Sequence, residues 1–210
     1  MRPTLLSCRA VTEPRPPIYF VRHGETAWNR SSRIQGQIDI PLNLTGHEQA
    51  QRVARALKQH LGDSRIDRFV VSPLTRARQT MGYISCAFDV ADSRIEVAPA
   101  LLELAFGIWE GRYIHEMAAD PGYPKDLPSH FRWRPKDGES YEDGLGRVRK
   151  WLGRIDGPTI IVAHGAIGRC LIGLVNDLAP ADLVAVATPQ GRFCRLAGGQ
   201  IDWFEANGAP

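Results

Sequence analysis

The apolar positions follow two rhythms along the chain. Ile18-Tyr19-Phe20-Val21 comes after Pro16-Pro17 as an unbroken run of β-branched and aromatic residues, which predicts a buried strand. Ile66 to Val71 predicts a second strand, halted by Ser72-Pro73, and Thr159-Ile160-Ile161-Val162-Ala163 a third. Shorter strands are expected at 94–98 and at Ile201-Asp202-Trp203-Phe204, with turns at Gly191 and Gly198-Gly199. Between these runs the period lengthens. Ala50, Val53, Ala54, Leu57 and Leu61 recur at helical spacing behind Thr45 and Glu48, which are three apart as in a capping box. Further helices are expected over 74–85, over 139–155 and from 164 to Val175. Strands alternating with helices predict an α/β fold with a mostly parallel central sheet.

One stretch breaks the alternation. Pro121, Pro124, Pro128, Pro135, Gly122 and Gly138 forbid a long regular element across residues 120–138. A segment of that length exceeds an ordinary connector, so residues 110–138 are read as an inserted lid. Residues 1–16, with three prolines and three arginines, read as a loose tail, leaving one domain over 17–210. Leu5-Leu6-Ser7-Cys8 looks like the end of a lipoprotein signal, but no apolar run of suitable length precedes it.

Composition narrows the classes. The 210 residues are 43% hydrophobic and 23% charged, which excludes extensive disorder. A net charge of +3 is too mild to imply nucleic acid as a partner. No apolar run approaches the length of a membrane span, so no membrane partner is expected. Cys8, Cys86, Cys170 and Cys194 form no C-x-x-C pair, and no histidine lies at zinc-ligand spacing from them. The expectation is a reducing, cytoplasmic setting without a metal or other cofactor. A homodimer is compatible with the sequence and is not dictated by it. Only four basic residues are lysines and 22 are arginines. Arginine's planar fork suits phosphate or carboxylate, although a GC-rich genome yields the same bias.

The chemistry sits in an echo. Phe20-Val21-Arg22-His23-Gly24 and Ile161-Val162-Ala163-His164-Gly165 are both apolar strands ending in His-Gly. Ligands of open α/β sheets bind at the carboxyl ends of the strands, so the two imidazoles can converge there. Arg22 adjoins His23. Arg76 lies about one helical turn beyond the end of another strand, at a helix N-terminus that itself favours an anion. Two histidines and two arginines suit a dianionic phosphoryl group, held by charge-assisted hydrogen bonds. One imidazole can carry that group covalently. Glu103, Glu25 and Glu110 are rival carboxylates for proton transfer to the leaving oxygen. Arg78 alone reads as a solvated helix face.

These residues carry a resemblance. Arg22-His23-Gly24-Glu25-Thr26 resembles the signature of the histidine phosphatase superfamily, phosphoglycerate mutase-like branch. The match continues through Gln35-Gly36-Gln37, Ser72-Pro73-Leu74-Thr75-Arg76-Ala77, Leu102-Glu103-Leu104, Phe106-Gly107-Ile108-Trp109-Glu110-Gly111, Asp137-Gly138-Glu139-Ser140 and Val162-Ala163-His164-Gly165. It spans about residues 18–170. The resemblance implies a three-layer α/β/α sandwich with one reversed strand and a site under the lid. It implies His23 as the nucleophile and Arg22, Arg76 and His164 as holders of the phosphoryl oxygens. Glu103 becomes the acid and base, with Glu25 more suited to orienting a histidine or arginine and Glu110 to structure. Asn29, Gly165 and Ala166 resemble further phosphate contacts, and Gln35 and Gly36 lie on a loop lining the pocket.

The implied activity is metal-independent hydrolysis of a small phosphorylated metabolite through a phosphohistidine. A phosphoglycerate mutase is the nearest alternative, and a non-catalytic phospho-ligand binder a second. The mutases resemble longer chains and tend to carry Ser and Gly-Trp where this one has Thr26 and Gln35-Gly36-Gln37. Among lesser features, Arg132 and Arg134 either clamp the distal part of a substrate or flank a buried Trp133. His47, His60, His115 and His130 are expected at the surface, and Arg147, Arg149 and Lys150 on an exposed helix face.

Overall fold

The computed structural model describes residues 16–206. The expected tail lies outside the described residues, save Pro16. Six strands form one sheet: β1 (Ile18–Arg22), β2 (Arg68–Val71), β3 (Ile95–Val97), β4 (Thr159–Ala163), β5 (Arg192–Ala197) and β6 (Gln200–Glu205). Their order is β3-β2-β4-β1-β5-β6. β3, β2, β4 and β1 run parallel, and β5 is antiparallel to both β1 and β6. The sheet is thus mostly parallel with one reversed strand. β5 and β6 join through Gly198-Gly199, both at positive φ (58° and 75°), as a tight hairpin between antiparallel strands demands.

The pleat sorts β1 between two cores. Ile18 and Phe20 face one side, with Ile161 and Ala163. That side is covered by α6 (Tyr141–Leu152), α7 (Gly165–Val175) and α8 (Pro180–Ala185) through Val148, Ile167 and Leu183. Tyr19 and Val21 face the other, with Ile160 and Val162. There α2 (Leu44–Leu61) and α3 (Thr75–Ala87) contribute Leu57 and Met81. Helices on both faces explain why β4 is buried at every position and reads as a continuous apolar run rather than an alternation.

Several boundaries move for local reasons. α2 opens one residue before the predicted Thr45, because Asn43, not Thr45, caps it: the Asn43 side chain accepts the Gly46 N–H. α6 is shorter than 139–155. Ser140 and Asp143 form its capping box, and Gly153 ends it. β2 begins at Arg68, with Ile66 packing beside the core rather than in the ladder. The proline-rich lid holds only two six-residue helices, α4 (Ile114–Ala119) and α5 (Leu127–Arg132). A four-residue α1 (Ala27–Arg30) and α8 carry no periodic signal in the sequence.

Candidate active site

The two His-Gly motifs meet because their strands are neighbours in register. Arg22 pairs with Ala163, and the His23 N–H continues the ladder to the Ala163 carbonyl at 3.0 Å. The next residue on each strand is therefore a histidine, and the two rings lie 5.1 Å apart between centroids. β2 delivers a third strand end. Val71 pairs with Val162, so Ser72 arrives beside His164.

Hydrogen bonds fix which nitrogen of each ring holds the proton. His23 Nδ1 is 2.7 Å from the Gly24 carbonyl, which can only accept. Nδ1 therefore carries the hydrogen, and Nε2 is left with its lone pair. Arg76 Nε donates to His164 Nδ1 at 3.3 Å, so His164 holds its proton on Nε2 and donates to Ser72 Oγ at 2.6 Å. Both rings are buried. Burial, reinforced by the Arg76 and Arg22 charges, holds the His23 pKa well below the usual histidine value. The same causes, with His23 itself, depress His164. Both imidazoles are neutral at neutral pH.

The arginines are held differently. Arg76 is almost fully buried, and its Nη1 and Nη2 donate to the carbonyls of Ile38 and Gly36, each at 2.8 Å. Burial lowers its pKa to about 10, which keeps it charged at neutral pH. Gly36 sits at φ 51°, and any side chain there would collide with the Glu110 carboxylate, so the loop at Gln35-Gly36 reaches Arg76 only as glycine. Arg22 Nη1 donates to the Thr188 carbonyl at 2.9 Å, while its buried Nε has no partner among the described residues. A buried charged donor without a partner is costly unless an acceptor enters the site. The N-terminus of α3 is not available to a ligand. Asp39 already takes the Thr75 N–H and hydroxyl, both at 2.7 Å.

Glu103 lines the same cleft, but its carboxylate is at the start of α7. It accepts from the N–H groups of Ala166 (3.1 Å) and Ile167 (3.0 Å) and from Leu104 (3.0 Å). The sequence reading gave the Ala166 amide to a phosphate; in this conformation Glu103 holds it. Asn29 presents its amide nitrogen. Its Oδ1 accepts from Thr26 N at 3.2 Å and Gln190 Nε2 at 3.1 Å, which settles the orientation of the amide. Thr26 Oγ1 lies 3.0 Å from Gln35 Oε1, so two positions singled out separately in the sequence act as one contact.

The cleft holding these groups measures about 500 Å³. Arg22, His23, Asn29, Gln35, Gly36, Arg76, Glu103, Gly165 and Ala166 line it; His164 does not, and is buried against Arg76 with both ring nitrogens bonded. The rival carboxylates do not enter. Glu25 accepts from Asn43 Nδ2 at 2.7 Å and orients neither histidine nor arginine. Glu110 accepts the N–H groups of Gln37 and Phe106 as a loop anchor. Arg132 and Arg134 turn away, onto Glu142 and Asp143 of α6, and clamp nothing in the cleft. His130, expected at the surface, is half-buried in the cleft wall because Tyr123 bonds its Nε2 at 3.0 Å. Among the described residues no cluster of three or more His, Cys, Asp or Glu is placed to hold a metal ion.

Some of the machinery escaped the sequence. Arg147, assigned there to an exposed face, is half-buried and fastens the loop that carries Glu103. Its guanidinium donates to the carbonyls of Ala100, Leu102 and Glu103 and pairs with both oxygens of Glu139. Gln190, which bonds the His23 carbonyl, and Thr188 come from an irregular segment with no readable pattern. Arg169 and Tyr141 meet in the cleft at 2.7 Å. Arg169 lay one turn beyond His164-Gly165, a helical spacing that could have marked it.

The family model of the histidine phosphatase superfamily (branch 1) matches residues 18–203. This chain belongs to that superfamily. A relative named probable phosphoglycerate mutase GpmB, from Enterobacter sp. (strain 638), is 33% identical over 196 residues, covering 90% of this chain and 86% of the relative. A mycobacterial glucosyl-3-phosphoglycerate phosphatase, solved with vanadate, is 28% identical with a TM-score of 0.76, covering 90% of this chain and 96% of that one. A structure described as a putative alpha-ribazole-5′-P phosphatase from Escherichia coli shares the fold, with a TM-score of 0.77 at 22% identity, covering 93% and 100%. The chain is thus an enzyme of the phosphatase and mutase class.

Proposed function

We propose that this chain hydrolyses phosphomonoesters of a small metabolite in two steps, without a metal. His23 Nε2 attacks phosphorus, a nitrogen–phosphorus bond forms and the ester oxygen departs with a proton delivered by Glu103. Water then attacks phosphorus and gives its proton to Glu103. The nitrogen–phosphorus bond breaks, and phosphate and neutral His23 are regenerated. Arg22 and Arg76 stabilise the charge on the phosphoryl oxygens, a task that a metal performs elsewhere. The orphaned Nε of Arg22 and the free amide nitrogen of Asn29 are donors for those oxygens.

One observation carries the reading: a buried, neutral histidine whose other nitrogen is pinned by a backbone carbonyl, between two arginines. A phosphoglycerate mutase would use the same groups, and the relatives' name favours it. The small lid and the Thr26–Gln35 contact favour hydrolysis. The free thiols of Cys86, Cys170 and Cys194 support a reducing cytoplasm as the setting. No helix of the described residues is long and apolar enough to cross a membrane.

The test is phosphate release in EDTA from a panel of phosphomonoesters, with 3-phosphoglycerate followed in parallel for 2-phosphoglycerate. Hydrolysis should persist in EDTA and fall by about 10⁴-fold or more in His23→Ala. Isomerisation with little release would make the enzyme a mutase. Activity that vanishes with the chelator would overturn the metal-independent mechanism.

A further inference from the structure

The outer half of the cleft differs in character from its floor. The lid contributes Ile114, Met117, Tyr123, Leu127 and His130 to the lining. Ile114 is 51% exposed and Leu127 44%, and both line the cleft, so its mouth presents apolar surface to water. The three rings behind them are locked together. Tyr123 and His130 meet edge to face at 5.0 Å, and His130 meets Tyr141 at 5.7 Å and 89°. Burial and the nearby Arg169 lower the His130 pKa, so that ring is neutral too.

The lid brings no charge to this face. The lid has five lysines and arginines, Arg112, Lys125, Arg132, Arg134 and Lys136, and none lines the cleft. Arg132 and Arg134 are paired with α6, and Arg112 lies over the Trp109 ring. The acidic side chains Glu110, Glu116, Asp120, Asp126 and Asp137 are absent from the lining as well. Arg33 enters from the side but is turned onto Tyr113, 4.7 Å above its ring and bonded to its hydroxyl. Arg169 is fixed from two sides by the Val186 carbonyl and the Tyr141 hydroxyl.

We propose that the lid selects phosphomonoesters whose alcohol is bulky, apolar or ring-bearing, and uncharged beyond the phosphate. This rests on the phosphatase reading above. At about 500 Å³ the cleft is far larger than a phosphoryl group, and it falls in the range, about 300–1,000 Å³, that encloses whole small molecules. The phosphoryl end binds at the floor. The rest of the alcohol lies against Ile114, Leu127 and Tyr123 and removes their exposed surface from water. A second carboxylate or phosphate would find no charge on the lid, and the two arginines beside it, Arg33 and Arg169, already donate to Tyr113 and to Val186 and Tyr141, so it would lose hydration for no new partner.

Three alkyl esters separate the possibilities, because their leaving groups are all poor and the lid contact is what differs most. They are ethyl phosphate, 2-phenylethyl phosphate and 3-phosphoglycerate. The 2-phenylethyl ester should exceed ethyl phosphate in kcat/KM by tenfold or more, with 3-phosphoglycerate well below it. Ile114→Ser combined with Leu127→Ser should collapse that ratio toward one. Lys125→Ala, on the same lid but outside the cleft, should preserve it and controls for general damage to the lid. Equal kcat/KM for the ethyl and phenylethyl esters, or a preference for 3-phosphoglycerate, would overturn the proposal. Turnover of ethyl phosphate that depends on His23 shows that the phosphatase reading stands even then. No turnover of any ester would overturn both.

Discussion

The floor of the cleft and its lid are built on opposite terms. On the floor, charged and polar groups are buried and almost wholly paired: Arg76 has three partners and Glu103 three donors. On the lid, apolar groups stand exposed and the charges point elsewhere. Strand ends in fixed register hold the floor, whereas two short helices between prolines form the lid. The difference teaches a division of labour. A phosphoryl group needs donors preorganised to a fraction of an ångström, which strand ends and saturated hydrogen bonds provide. Choosing among alcohols needs only surface of the right polarity, which can vary on a lid without disturbing the reaction.

The division is tested most severely at Glu103. Glu103→Gln should slow hydrolysis of an alkyl phosphate by about 10²–10⁴-fold and that of p-nitrophenyl phosphate much less, since its leaving group departs without a proton. An equal loss on both would move the acid role to another group. A smaller effect is expected one step removed. Arg147→Ala frees the carbonyls of the 100–103 loop and should lower kcat by about 10²-fold through misplacement of Glu103, with KM little changed. Arg147→Lys restores the charge without the planar fork and should recover part of it. A purely structural role would leave the leaving-group dependence of the variant as in the wild type.

The smallest effect is on stability. His164 is buried and neutral, with its folded pKa held below the unfolded value of about 6.5. Below that pH the unfolded chain binds the proton that the folded chain refuses, so stability is full above pH 6.5 and declines as the pH falls toward the folded pKa. The loss approaches about 1.4 kcal/mol per pH unit for each such group. Urea unfolding between pH 7 and 5 should show a shallower decline in His164→Asn than in the wild type. An unchanged slope would place the titration elsewhere.

Much of the floor was legible because its parts are short and local. Arg22-His23-Gly24 and His164-Gly165 stand at the ends of unmistakable strands, and Arg76 lies in the first turn of the helix that follows another. The lid was legible only as an interruption. Prolines announce where regular structure stops, but not which way Arg132 or Ile114 will face. Arg147 was misread for a related reason: a helix position seems exposed until the loop it covers is known, and that loop lies 44 residues upstream.

The sequence by itself determined the α/β alternation, the paired His-Gly strand ends and the family, because each rests on neighbours in the chain and on period. Tertiary structure alone decided the proton positions on His23 and His164, the capture of Glu103 by α7 and the uncharged face of the lid. For His23 the deciding partner is the next residue, Gly24, but only the folded turn aims that carbonyl at the ring; the others depend on contacts distant in sequence, such as Arg76 with His164, 88 positions apart. Local propensity carries no information about such pairs; only the packed sheet and its helices bring them within hydrogen-bonding distance.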